Sequence, residues 1–528
     1  MTVRRMMGTE TEYAVSRFRE AHPDSVGLSF AVVRAASDPS TSHIRWDYRS
    51  EDPVNDARGG RLPRAAARPD MLTDEPQDVI VNVVTSNGAR VYVDHAHPEY
   101  ASPETRDPFE AVLYDHAGDG IMHDAAVRAG NREGAPIRLH RNNIDGKGAS
   151  WGTHENYLMR RSVPFDRVAS LMTAHLVSRQ IYAGSGRVGL GERGETPGYQ
   201  LSQRADYIHT RVGLQTTFDR PIINARDEAH STDPWRRLHV IVGDANRMDV
   251  PQALKLGVTS LVLWLLENGD SYGVDVAALA DELLPRDPVA ALHAVSRDLT
   301  LAETIETQGR GPLTAWQIQT TLLSAVYRAA ALAYGVDSRG EPVWPDPSTV
   351  RIVSWWRRAL TDVAAIRHSD DKRRMGMHEE ASRIEWLLKW QLLRRWARGR
   401  GLSWSDPRME ALGLSWSDLD PASSVFARLG DAVEHIPVEW ATSPQRARRL
   451  PPPDTRAWAR SRLVSLFPDR VVAVTWSSVT MRRDDGGLAL IDMSDPDEDW
   501  GCDRLGYLEG DGMRDHPDEV IHRLSAER

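Results

Sequence analysis

Asn87-Gly88-Ala89-Arg90-Val91-Tyr92-Val93-Asp94-His95-Ala96-His97-Pro98-Glu99-Tyr100 is the stretch on which the fold turns. Asn-Gly is the strongest short-range hairpin signal, because both residues tolerate positive φ. The run before it, Val79 to Val84, is rich in valine, and the run after it alternates. Successive side chains of a strand point to opposite faces. A hairpin over 79–94 therefore puts Arg90, Tyr92 and Asp94 on one face and Ala89, Val91 and Val93 on the other. A cation, a phenol and a carboxylate in one row read as a site, and His97 and Glu99 extend the polar set past the strand end.

A second row stands near the start of the sequence. In Gly8-Thr9-Glu10-Thr11-Glu12-Tyr13 two carboxylates lie two residues apart, on one face if the segment is a strand. Acids that close repel unless a cation sits between them. Mg²⁺ suits the place, since it takes oxygen ligands and shares them with phosphates. Alone, Glu-x-Glu is an ordinary solvated edge; coupled to the Arg90–Asp94 row, it reads as a metal site.

Composition narrows the class. The chain has 528 residues, a formal charge of −10 and one cysteine, Cys502. That length supports a large core and more than one domain. The negative charge gives no basis for a nucleic-acid partner. One cysteine excludes an intrachain disulfide framework and a cysteine-based zinc site, and it fits a cytoplasmic setting. The first residues lack the apolar centre of a signal peptide. No run of about 18 apolar residues stands out, so no membrane span is expected.

Along the chain, 3–15 reads as a strand, 16–40 holds one helix, and 41–76 is polar and without pattern. Residues 108–129 read as a helix. Strand-like runs follow at Ile137–Leu139, Asn156–Met159, Val212–Thr217 and Leu238–Val242. Helical patterns cover 251–267, 274–284, 313–334, 350–368 and 378–398. Strands first and helices later predict an α+β fold. Pro451-Pro452-Pro453 breaks the chain before a helix, Thr455–Phe467, and a strand, Val471–Trp476. This places a catalytic domain at 1–435, a small C-terminal domain at 436–505 and an acidic tail at 506–528.

Long segments in a fixed order carry a resemblance. They are MGTETEY (7–13), RWDYRSEDPVNDARG (45–59), NGARVYVDHAHPEY (87–100), NNIDGKGASWGTHENYLM (142–159), GYQLSQRADYI (198–208), IINARDEAH (222–230), RRLHVIVGDAN (236–246), LSWSDPR (402–408) and PPPDTRAWAR (451–460). They resemble the Pup-processing family of ligases and deamidases, relatives of glutamine synthetase. The resemblance implies a glutamine-synthetase-like antiparallel sheet packed with helices. It also implies ATP or ADP with Mg²⁺ as cofactors, and Pup and pupylated proteins as partners. Carried over by motif, Glu10, Tyr92 and Glu99 match magnesium-binding positions. Glu12 is the other carboxylate of the pair, and His154 and His239 are further ligand candidates by context. Asp94 matches the catalytic aspartate, as nucleophile or as base toward water. Arg90, Ser102 and Trp476 match nucleotide-contacting positions. Arg204 and Arg226 are expected clamps for phosphate or a substrate carboxylate, because a guanidinium fork fits either. Of the family's activities, the 45–59 insertion and the Val-Asp-His-Ala-His-Pro-Glu-Tyr motif favour deamidase/depupylase. A Pup–protein ligase, or an inactive relative that binds Pup or the proteasome, is the alternative.

Overall fold

The computed structural model describes residues 3–17, 20, 23–63, 65, 67, 82–146, 148–189, 198–437 and 443–526. Residues 79–81, at the start of the expected hairpin, lie outside these.

The hairpin forms as strands Asn82–Val84 and Arg90–Asp94, with Val84 opposite Arg90. Of Asn87 and Gly88, only Gly88 takes positive φ, at 81°. Its turn is pressed against helix Arg456–Leu466: a Cβ there would lie 2.8 Å from the carbonyl of Ala457. The chain then turns at His95-Ala96 and returns as strand His97–Ala101, which places Tyr92 opposite Glu99 and Asp94 opposite His97. His97 and Glu99 are thus not beyond the strand but across from it.

Strand Met7–Glu12 pairs with His97–Ala101 on one side and with Thr153–Arg160 on the other, and Trp235–Val240 closes the sheet. The six strands are all antiparallel, in the order 235–240, 153–160, 7–12, 97–101, 90–94, 82–84. Directly opposed residues of antiparallel strands share a face. Register therefore gathers Arg90, Tyr92, Asp94, His97, Glu99, Glu10, Glu12, His154, Asn156, Arg237 and His239 on one face. The other face presents Val91, Tyr100, Tyr157, Leu238 and Val240, all buried in apolar clusters. Even its polar members are satisfied: Thr9 and Thr11 donate to Asp115 (2.8 and 3.2 Å), and Glu155 pairs with buried Arg179.

Helices cover that apolar face. Pro108–Glu133 starts on the Asp107 cap, with proline in its first turn, and stops at Gly134 in the left-handed conformation (φ 72°). This is the stop glycine tolerates at least cost. Helix Asp249–Asn268 is buried almost throughout. With the turn that follows, to Tyr272, it is long and apolar enough to cross a membrane, but 94% of that window is packed inside the protein. It is a core helix, and the sequence reading missed how apolar it is.

Three local expectations change. The helix over 378–398 is two, His378–Ala381 and Glu385–Arg398. The break turns Glu385 inward, where its carboxylate accepts from Arg247 N, Met248 N and Trp416 Nε1. The strand at Val212–Thr217 is Thr210–Gly213 and pairs in parallel with Pro221–Asn224. The acidic tail is ordered at its end: helix Pro517–Ala526 packs Val520, Ile521 and Leu524 into the C-terminal core.

That core belongs to a four-stranded sheet, Leu488–Asp492, Ser478–Arg482, Val471–Val474 and Arg45–Trp46. The last strand comes from the polar 41–76 stretch, so the N-terminal insertion completes the C-terminal sheet. The same insertion reaches the segment before strand Trp235–Val240, where Asp52 N donates to Glu228 Oε1 (2.7 Å) and Asn55 Nδ2 to Asp227 O (3.0 Å).

Candidate active site

Glu10 sits at the centre of the polar face. Its Oε2 is 3.3 Å from His154 Nδ1 and 3.5 Å from His239 Nε2, and Asn156 Nδ2 donates to Oε1 at 3.1 Å. Arg237 Nη1 stands 3.8 Å away. Burial opposes the charge on Glu10, but the two imidazoles outweigh it and hold the carboxyl well below its usual value. Burial drives His239 the other way, down to about 3, so this imidazole is neutral and able to ligate.

Glu12 is the second node. Its Oε1 accepts from Gly152 N at 2.7 Å, and Oε2 is 3.3 Å from His97 Nδ1. A side chain at 152 would collide with both ligand groups, since a Cβ there would lie 2.0 Å from His154 Nε2 and 2.7 Å from Glu12 Oε1. Burial raises the Glu12 carboxyl, but His97 more than offsets it, and the group settles at about 2.

Glu99 is 1% exposed. Tyr92 donates to its Oε1 at 2.6 Å, while Oε2 is buried without a hydrogen-bond partner among the described residues. Burial, and then the charges of Asp94, Glu12 and Glu10, push Glu99 well above its usual value. Acids held this close call for a cation. Tyr92 is itself pushed up, by burial and by Glu99, so it stays a phenol and acts through its hydrogen bond.

Among the described residues two sets of ligand atoms each converge within 4.8 Å: Glu10 with His154 and His239, and Glu12 with Asp94 and Glu99. The second set is all oxygen and fits Mg²⁺. The first carries two imidazoles, a donor set that favours a borderline ion such as Zn²⁺ over Mg²⁺. Asp94 is the most open of these acids, at a strand end, with Oδ1 2.9 Å from His95 Nδ1.

Beside Glu10 lies a cleft lined by Gly8, Glu10, Ser102, His230, Arg237 and Trp476, among others. Ser102 Oγ accepts from Thr9 N and donates to Pro103 O. Trp476 enters from the C-terminal domain and meets Trp46 edge-on at 5.1 Å. The sequence-predicted residues Glu10, Ser102 and Trp476 therefore share one cavity. Arg90 stands at its flank with its guanidinium 4.1 Å above Trp46 and 4.0 Å from the Tyr92 ring, bonded to Asn82 Oδ1 and Tyr48 Oη. It is buried, and burial opposes its charge, but Tyr48 and Glu51 lead a larger favourable set that holds it protonated.

The two predicted clamps lie elsewhere. Arg204 is enclosed behind Glu12 and bonds the carbonyls of Trp151 and Ile241. Burial lowers it to about 9. Arg226 is 3.8 Å from Glu228, beside the insertion. Two arginines line the cleft, Arg456 and, on the sheet, Arg237. The signal for Arg237 was present, two residues before His239 on the same strand, as Asn156 is two after His154. Trp46, Tyr48 and Glu51 carried no such signal, because only the docking of the insertion brings them to Arg90.

A second cavity, open to solvent, lies at His97 and Trp151 and runs to Lys389 and Leu414.

Comparison with known proteins places this geometry. The family model described as Pup-ligase protein matches residues 5–480. A Pup deamidase/depupylase of Mycobacterium tuberculosis (strain ATCC 25618 / H37Rv) is 40% identical over 498 residues, 93% of each chain. Two solved structures are similar. One is the complex between prokaryotic ubiquitin-like protein Pup and its ligase PafA, with a TM-score of 0.74 at 25% identity over 99% of this chain and 93% of that one. The other is the Pup ligase PafA with ADP, with a TM-score of 0.68 at 27% identity over 85% and 91%.

Proposed function

We infer, from the premise that the chain belongs to the Pup-ligase family, that it is a Pup deamidase/depupylase: a hydrolase that converts the C-terminal glutamine of Pup to glutamate and frees Pup from lysine. The observation that carries the reading is the shared face, on which five strands hold Glu10, Glu12, Tyr92, Glu99, His154 and His239 around Asp94. A Pup deamidase/depupylase relative matches at 40% identity over 93% of the chain, against 33–36% for Pup–protein ligases.

The chain binds a nucleotide, in line with the ADP-bound relative. ATP or ADP lies in the cleft, with Trp476 toward the base, Ser102 and Gly8 along its wall, and Arg237 and Arg90 compensating phosphate charge. Glu12 and Glu99 would hold Mg²⁺, and Glu10 with His154 and His239 a second divalent ion; when bound, such ions neutralise the crowded acids and polarise the substrate carbonyl. Pup enters along the large groove, so that its terminal side chain arrives at His97, across the hairpin from Asp94.

Asp94 then carries the reaction. The carbon–nitrogen bond of the γ-carboxamide breaks. The nitrogen leaves as ammonia or as the lysine amine, taking a proton, and an oxygen from water ends in the glutamate carboxylate. Asp94 either attacks the carbonyl itself or takes the proton of the attacking water. No acyl-phosphate is required, because the bond to be broken is already an amide. The nucleotide therefore anchors the site and is not consumed.

The test is to incubate the protein in Mg²⁺ with a Pup–lysine conjugate and with glutamine-terminated Pup on ADP alone, and in parallel with glutamate-terminated Pup and a lysine-bearing protein on ATP. Free Pup and ammonia are expected without nucleotide turnover. ADP formed from ATP in step with accumulating conjugate would establish the ligase instead.

A further inference from the structure

His95 sits where the hairpin prefers another residue. Asp94 pairs with His97, so His95-Ala96 is a two-residue turn, and His95 has φ 52°. Such turns favour glycine, asparagine or aspartate at positive φ, because a Cβ is strained there. A non-glycine residue held in that region beside a reactive group marks strain kept for a purpose.

The side chain shows the purpose. Nδ1 is 2.9 Å from Asp94 Oδ1, and Nε2 is 3.3 Å from Thr217 Oγ1. A carboxylate only accepts hydrogen bonds. In the neutral ring Nδ1 therefore carries the hydrogen and donates to Asp94, which leaves Nε2 to accept from the Thr217 hydroxyl. Thr217 lies between strands Thr210–Gly213 and Pro221–Asn224, on a segment that reaches the hairpin turn from another part of the fold. Its hydroxyl fixes the ring, and the ring fixes the carboxylate.

We propose that His95, braced by Thr217, is a positioning residue for Asp94: it pins Oδ1 and leaves Oδ2 aimed at the substrate carbonyl or its water. This deepens the hydrolase reading and rests on Asp94 being the catalytic carboxylate. No proton leaves the imidazole in this role. Its contribution is to the orientation of one oxygen, which governs turnover and not substrate binding.

Purified His95→Gly is compared with wild type on a Pup–lysine conjugate with Mg²⁺ and ADP, with Asp94→Asn alongside. Glycine suits the turn, so Tm is not lowered, while kcat falls about tenfold or more from misplacement of the carboxylate and KM stays unchanged. Added imidazole restores part of kcat in His95→Gly and does nothing for Asp94→Asn. Wild-type kcat in His95→Gly, with Asp94→Asn inactive, overturns the role of His95 and leaves the hydrolase reading standing. Full activity in Asp94→Asn overturns that reading itself. Should His95→Gly fail to fold, Thr217→Val leaves the turn residue in place: a lower kcat at unchanged KM supports the brace, and a wild-type kcat refutes it.

Discussion

Arg460→Met tests how the C-terminal domain is coupled to the nucleotide cleft. The Arg460 guanidinium is enclosed between the two. Nη1 donates to Trp476 O at 2.8 Å and to Glu104 Oε1 at 3.2 Å; Nη2 donates to Gly88 O at 2.8 Å and to Glu104 Oε2 at 2.7 Å. It thus ties the hairpin turn, the segment after strand His97–Ala101 and the tryptophan of the cleft into one unit. Methionine fills much of the volume and removes every one of these bonds. Breaking a buried ion pair from one side costs about 3–5 kcal/mol. Glu104 keeps Arg456, whose Nε lies 2.7 Å away, so the lower end, about 3 kcal/mol, is expected. An unfolding entropy of about 2.1 cal/mol/K per residue over 528 residues is about 1.1 kcal/mol/K, which makes the drop in Tm about 3 °C.

The pH dependence has a definite sign. Burial raises the Glu104 carboxyl, but Arg460 and Arg456 overcome it and hold the group at about 2, against an ordinary 4.5. A depressed carboxyl stabilises the fold above its unfolded value and loses that contribution as pH falls through its folded value. The gap between wild type and Arg460→Met is therefore full at neutral pH and narrows on acidification from 4.5 toward 2. Scanning calorimetry across that range measures it, and titration calorimetry with Mg-ADP should show weakened affinity as Trp476 loses its tether. Adding Glu104→Gln should cost less than the sum of the single changes, because the unpaired buried charge is then gone. An unchanged Tm at neutral pH together with unchanged ADP affinity would refute the coupling.

Three further outcomes are expected. Asp94→Asn keeps its shape and should lose both activities while still binding Mg-ADP; single turnover of the wild type in ¹⁸O-water, followed by mass analysis of the 94-containing peptide, shows label there only if Asp94 is the nucleophile. Glu99, raised by burial and its acidic neighbours, takes up a proton on folding between its ordinary and raised values, so the cation-free protein loses stability as pH rises through that window. Glu99→Gln should remove that loss and also abolish the gain in Tm on adding Mg²⁺, and an undiminished Mg²⁺ gain would place the ion elsewhere. Trp46→Ala removes the ring over Arg90 and the edge contact with Trp476; it should weaken ADP binding about fivefold, equivalent to about 1 kcal/mol for one cation–π contact, and an unchanged Kd would show that the insertion does not shape the nucleotide site.

Much of the site was legible because strand alternation is local. Glu10 with Glu12, and Arg90 with Tyr92 and Asp94, share faces by counting residues. The same count, applied to the histidine strands, reaches Asn156 and Arg237, which the sequence reading passed over. Arg204 was legible as an arginine but not by its task, since enclosure by the carbonyls of Trp151 and Ile241 is a packing outcome. The helix break before Glu385 likewise depends on partners more than a hundred residues away in sequence, at Arg247 and Met248. The ordered C-terminal helix was hidden by its acidic surroundings, because three apolar residues suffice once a core exists to receive them.

By itself, then, the sequence determined which residues stand together on each strand, that two carboxylates so close repel without a cation between them, and, through long motifs, the family. Those are properties of period and chemistry, carried within a few residues of chain. Tertiary structure decided which strands adjoin. That pairing order set Glu10 against His154, Glu12 against Glu99 and Tyr92 against Glu99. It also decided that an unpatterned polar insertion would lend a strand to a distant sheet and carry Trp46 to Arg90. Register between strands far apart in sequence is chosen by burying one face of the whole sheet, and no local pattern encodes that choice.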